Sequence, residues 1–234
     1  MRIGILGTGT LAAALGEGWA CAGHELAIGG RSRAGAERLA ARLGHGALAV
    51  APREAAVGRD AVLLAVSWDG VEDMLASAGA ADGTLAGTPL IDPTNAVAHG
   101  VGALLVAPGE SMADRIAGLA PGARVVKAFH LFPAAQWTAA AAGDPSPSPS
   151  PSPPPSSVPS RVTVAMCGDD AVALRTVGEL VRDVGGIPAT LGGLDRVRQL
   201  EEVAGFAIGL AFAGVAPDSA LPRASAPPTP PAPN

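Results

Sequence analysis

The sequence predicts an α/β fold: a Rossmann-type doubly wound parallel sheet with a small C-terminal helical/αβ extension. Three observations predict it. A short apolar strand runs into a glycine turn and then an Ala-rich helix at the start of the chain. Strand-like and helix-like patterns then alternate through the first half, as a parallel sheet covered on both faces requires. Finally, 234 residues at 48% hydrophobic content suffice for one core but are short for two full domains.

The first strand, Arg2-Ile3-Gly4-Ile5-Leu6, meets Gly7-Thr8-Gly9-Thr10-Leu11-Ala12. Gly7 permits a tight turn, Gly9 lets backbone approach a pyrophosphate, and Ala12 is small enough for close strand–helix packing. The helix N-terminus adds free N–H groups and partial positive charge, so this junction reads as a dinucleotide site. The second strand, Glu25–Ile28, ends at Gly29-Gly30-Arg31-Ser32-Arg33, where an NAD site would carry an acid. None stands there. Arg31 and Arg33 with the Ser32 hydroxyl suit a 2′-phosphate instead, and so NADP; solvated arginines at a helix start are the bland alternative.

A helix over Ala34–Leu43 and a short strand at Ala47–Val50 follow, then an apolar strand over Asp60–Val66 that reads as fully buried. Helix is expected at Val71–Ser77 and Ser111–Ala120, and strand at Pro89–Asp92 and Arg124–Phe129. These strands deliver their C-terminal ends to one edge, where open α/β sheets bind ligands. Val66-Ser67-Trp68, Asp92-Pro93-Thr94-Asn95 and Ala128-Phe129-His130-Leu131-Phe132-Pro133 all fall at such ends, as does the entrance to the last helix, Asp195 to Glu201. Trp68 and Trp137 read as cleft walls. Lys127, the single lysine, lies in a strand and is not assigned a catalytic role.

Four units are expected: a dinucleotide-binding domain over 1–143, a Pro/Ser-rich solvated insertion over 144–160, a C-terminal segment over 161–216, and a disordered tail over 217–234. In the third unit, strands are expected at Arg161–Cys167 and Ile187–Leu191, and helices at Asp169–Val184 and Leu194–Gly214. Asp169 and Asp170 suit a helix start. The last helix is apolar all round in its second half, which points to a homodimer interface that also closes the cleft. Cys21 and Cys167 match no metal spacing and read as buried thiols in a reducing compartment. No metal site is expected. A net charge of −5 without a basic run argues against nucleic acid or an anionic membrane as partner. With no signal-peptide pattern and no long apolar run, a cytoplasmic protein is expected.

The glycine fingerprint, Gly29–Arg33, Val66-Ser67-Trp68, Lys127-Ala128-Phe129-His130, Pro133-Ala134-Ala135-Gln136-Trp137 and Cys167-Gly168-Asp169-Asp170 together resemble the NADP-dependent reductases of the deazaflavin coenzyme F-420. The resemblance covers Met1 to Ala213 apart from the insertion. It implies hydride transfer between stacked nicotinamide and deazaflavin rings. It also implies NADP contacts from Thr8, Gly9, Thr10, Leu11, Arg31, Ser32, Val66 and Ser67, and a deazaflavin pocket at His130, Phe132 and Pro133. His130 would orient the ring or relay a proton. Gly30 replaces a common Ser and Phe132 a smaller aliphatic residue. The rival functions are reduction of another small acceptor (an imine, an unsaturated intermediate or ferric iron) and a non-catalytic NADPH sensor.

Overall fold

The computed structural model describes residues 1–98, 100–141 and 161–220. In chain order these form β1 (Arg2–Leu6), α1 (Thr10–Cys21), β2 (Glu25–Gly29), α2 (Arg33–Leu43), β3 (Leu48–Ala49), α3 (Pro52–Ala56), β4 (Ala61–Leu64), α4 (Val71–Ser77), β5 (Pro89–Asp92), α5 (Met112–Leu119), β6 (Arg124–Lys127), α6 (Ala135–Ala141), β7 (Thr163–Cys167), α7 (Ala171–Asp183), β8 (Ile187–Gly192) and α8 (Val197–Phe212). One sheet of eight strands has the order β3-β2-β1-β4-β5-β6-β7-β8. The chain leaves β1 in one direction to β2 and returns to β4 on the other side, so the switch point lies between β1 and β4.

The first six strands are parallel. β7 then pairs antiparallel with β6 and parallel with β8. The C-terminal segment is therefore a continuation of the same sheet, with its two strands reversed. Period-two alternation sorts the core onto two faces. Ile3, Ile5, Leu63, Ile91 and Val126 pack with Leu15, Trp19, Leu39 and Leu180 on one side. Leu6, Val62, Leu64, Leu90 and Val125 pack with Met74, Ile116, Val197 and Leu200 on the other.

Most expected elements form close to their expected limits, and the differences have local causes. The sixth strand ends at Lys127 rather than Phe129, because Phe129 adopts a left-handed φ of 64°. The expected tail begins with a 3-10 turn at Pro217–Ala220. The helices α3 and α6 have no counterpart in the sequence reading. Cys21 is exposed, not buried: it is the last residue of α1, past the turn that faces the core, whereas Cys167 is buried. The Pro/Ser insertion and residues 221–234 lie outside the described residues. No helix among the described residues is long and apolar enough to cross a membrane.

Candidate functional site

Gly7 has φ 130°, and a Cβ there would lie 2.0 Å from the Ala65 carbonyl oxygen, so the turn crosses the end of β4 at backbone contact distance. Only glycine fits. Gly9, the N-cap of α1, has no protein atom within 4 Å of where a Cβ would stand, and no side chain caps the helix. The first turn of α1 thus presents backbone N–H groups to open space. This is the cradle that a pyrophosphate needs, and it sits at the switch point.

A cleft of about 300 Å³ opens from this loop, bordered by Gly7, Thr8, Gly9, Arg31, Ser32, Val66 and Ser67, with Gly70 and Met74 behind. A second hollow of about 350 Å³ lies between α1 and α2, against Thr8, Thr10, Arg38 and Arg42. The Ser32 hydroxyl caps α2 by accepting from Gly35 N–H at 3.3 Å, which leaves its own proton free to donate. Arg33 is committed to Glu37 at 3.0 Å. Arg31 in the cleft and Arg38 in the adjoining hollow make no ion pair among the described residues, so both guanidiniums are available to an anion. Leu11 and Trp68 are half-buried beside the cleft, outside its lining.

The ends of β5 and β6 are built differently. Lys127 is fully buried, and its ammonium donates to Asp92 Oδ2 at 2.9 Å, Glu201 Oε1 at 3.0 Å and the Thr94 carbonyl at 2.5 Å. Thr94 returns two bonds, from N–H and Oγ1–H, to Asp92 Oδ1 at 2.8 and 2.6 Å. Glu201 also accepts from the N–H groups of Met112 and Ala113 at the start of α5, at 2.9 and 3.2 Å. One cation and two carboxylates are thereby hydrogen-bonded in a dry interior.

Beside this set, Asn95 Nδ2 donates to the His130 carbonyl at 2.7 Å, tying the two loops together. His130 is buried, yet both its ring nitrogens lack a partner, as do Asn95 Oδ1 and Trp137 Nε1. Burial, and then the charge of Lys127, push the imidazole down to about 3, so the ring is neutral near pH 7. A neutral imidazole donates from one nitrogen and accepts at the other; it offers no imidazolium. The preceding Phe129 holds its left-handed backbone because its ring is wedged edge-on between Trp19 and Trp137, with centroids at 6.2 and 5.2 Å.

Several expected site residues therefore face inward. Pro93, Thr94, Ala128 and Phe129 are buried. Trp137 belongs to the core against Phe129 rather than to a cleft wall, while Phe132, half-buried, packs on it at 6.0 Å and Pro133 is exposed. Asp170 caps α7 by accepting from Ala173 N–H, and Asp169 accepts from Leu194 N–H, both at 2.8 Å. Burial raises the Cys167 thiol, which keeps it inert. The sequence reading missed the Lys127–Asp92–Glu201 set and Arg38. A lysine directly after the apolar pair Val125-Val126 was the available signal, since a charge buried in a strand requires a partner.

Residues 2–96 match the family model described as NADP oxidoreductase, coenzyme F420-dependent. A candidate F420-dependent NADP reductase from Arthrobacter sp. FB24 superposes with a TM-score of 0.73 at 25% identity, over 92% of this chain and 96% of that one. A hypothetical protein of Sinorhizobium meliloti gives 0.64 at 28% identity, over 83% and 85%. The reductive aminase of Aspergillus terreus, bound to NADPH and ethyl-5-oxohexanoate, shares the fold, with a TM-score of 0.60 at 21% identity over 91% of this chain and 63% of its own. No curated protein matches the sequence. Over residues 2–96 the chain is thus similar to the coenzyme F420-dependent NADP oxidoreductases, and the protein is an NADP-dependent oxidoreductase.

Proposed function

We propose that the protein transfers a hydride between NADPH and the deazaflavin coenzyme F-420. The observation that carries the reading is a buried, neutral His130 with both ring nitrogens unpartnered, next to Asn95 Oδ1 in the same condition. These groups sit at the ends of β5 and β6, on the same sheet edge as the open glycine cradle.

The cradle fits NADP. The α1 N-terminus and Gly9 backbone hold the pyrophosphate, while Arg31 and the Ser32 proton take the 2′-phosphate. NADPH supplies the hydride when bound. His130 and Asn95 fix the polar edge of the acceptor ring, and Phe132 and Pro133 border it. Carbon-to-carbon hydride transfer needs no acid or base at the reacting atoms, so holding the rings in contact and excluding water does most of the work. The partner is a small-molecule redox co-substrate, not nucleic acid or membrane, in a cytoplasmic setting. A homodimer through α8 completes the reading: Phe206 is 48% exposed and Val203 41%, an apolar face that monomers rarely leave bare.

Anaerobic NADPH oxidation tests the function. With the deazaflavin present, its long-wavelength absorption bleaches as NADPH is consumed. NADPH consumption with an imine and not with the deazaflavin would replace this acceptor. Arg31→Ala should weaken NADPH binding about tenfold or more and leave NADH binding unchanged, since a charge-assisted contact is worth about 1.5–3 kcal/mol. Equal losses for both cofactors would remove Arg31 from the 2′-phosphate site. For the dimer, light scattering should report twice the chain mass, and Phe206→Asp should split or aggregate the protein.

A further inference from the structure

We propose that Lys127, held in place by Glu201 of the last helix, is a positioning residue that sets the loops carrying Asn95 and His130. The inference rests on the reading above for what those loops bind, and on the structure alone for what holds them. All three ammonium protons of Lys127 are used, each on a different segment: β5 through Asp92, the following loop through Thr94, and α8 through Glu201. Glu201 is pinned in turn by two N–H groups of α5. Bonds therefore run from α8 and α5 through Lys127 to Thr94, and from the adjacent Asn95 to the His130 carbonyl.

Stability alone does not explain this arrangement. A buried ion set is often no better than apolar side chains of the same volume, whereas it does impose one geometry on the groups it joins. Here the joined groups end at the unpartnered atoms of His130 and Asn95. Lys127 also places its charge close enough to add to the larger effect of burial in lowering the imidazole. The helix with the exposed apolar face is thus wired, through one carboxylate, to the acceptor end of the cleft.

The test compares Glu201→Leu with Glu201→Gln. The first leaves a balanced Lys127–Asp92 pair, and the second keeps an oxygen for Lys127 Nζ. The readouts are the ¹⁵N ring resonances of His130, assigned with His130→Gln, the NADPH dissociation constant, and kcat and KM with the deazaflavin. Expected for Glu201→Leu are displaced His130 signals, NADPH affinity within twofold of the parent, and kcat lowered at least tenfold. Glu201→Gln should restore the signals and most of kcat. Unmoved His130 signals in folded Glu201→Leu would overturn the proposal, whatever happens to its melting temperature. Should Glu201→Leu fail to fold, Asp92→Asn, which leaves a balanced Lys127–Glu201 pair, takes its place: displaced His130 signals support the positioning role and unmoved ones overturn it. A parent protein that does not turn over the deazaflavin defeats the acceptor assignment only, because the His130 signals still decide the positioning role.

Discussion

The two ends of the candidate site are built from opposite materials. At the β1–α1 turn the backbone forms the site: Gly7 is forced by φ and by the Ala65 carbonyl, Gly9 faces open space, and the helix start is uncapped. At the ends of β5 and β6, side chains form it: Lys127, Asp92, Thr94 and Glu201 are satisfied by one another and by the Met112 and Ala113 N–H groups, while Asn95 Oδ1 and both His130 ring nitrogens keep unused atoms. The first end can be written in a short local motif, because neighbouring residues suffice to make it. The second needs residues 92, 127 and 201, which no local pattern links.

The comparison can be broken most severely at its side-chain end. Lys127→Met strands two buried carboxylates and should cost about 3–5 kcal/mol, read as a fall in the denaturant midpoint. At the backbone end, Gly7→Ala combines a forbidden φ with a 2.0 Å approach to backbone oxygen. A loss of about 3 kcal/mol and of most NADPH affinity is expected, since the turn must move. A loss under about 1 kcal/mol would mean that the turn is not fixed as described.

His130 gives a finer test through pH. Its folded-state value near 3 lies below the ordinary 6.5, so the unfolded chain binds the proton that the folded protein refuses. Stability should then rise with pH between those values and be lost as pH falls below about 6.5. The expected loss is about 2 kcal/mol between pH 7 and pH 5, at about 1.4 kcal/mol per unit. His130→Phe should flatten this part of the profile. An unchanged slope would show that the imidazole is not held neutral by burial. The smallest effect is expected at Ser32→Ala, where losing the α2 cap costs about 1 kcal/mol of stability and a modest further share of NADPH affinity.

How far the sequence could be read follows from the range over which each feature is written. The strands, the doubly wound order of the first half and the glycine turn were legible because each depends on residues a few positions apart. Ser32 was legible as a residue of the turn after β2 but not as the α2 cap, because a cap is defined by a backbone geometry that the sequence does not display. Phe129 and Trp137 read as residues of the cleft and lie in the core instead. The left-handed turn at Phe129 rotates its ring onto Trp19, and that contact spans more than a hundred residues of chain.

Residues read in order were enough to set the parallel sheet, the exposed backbone of its first turn, and arginine rather than an acid after β2. Periodicity, glycine stereochemistry and charge are local properties, and they act before the chain is folded. Tertiary structure alone decided that β7 and β8 would join the same sheet in reverse, that Cys21 would face water, and that the single lysine would be fully buried between Asp92 and Glu201. Strand order across the sheet, the side of a helix end that meets solvent and the partner of a buried charge are settled only when distant segments exclude water together. That is also when His130 acquires its neutral, unpartnered ring.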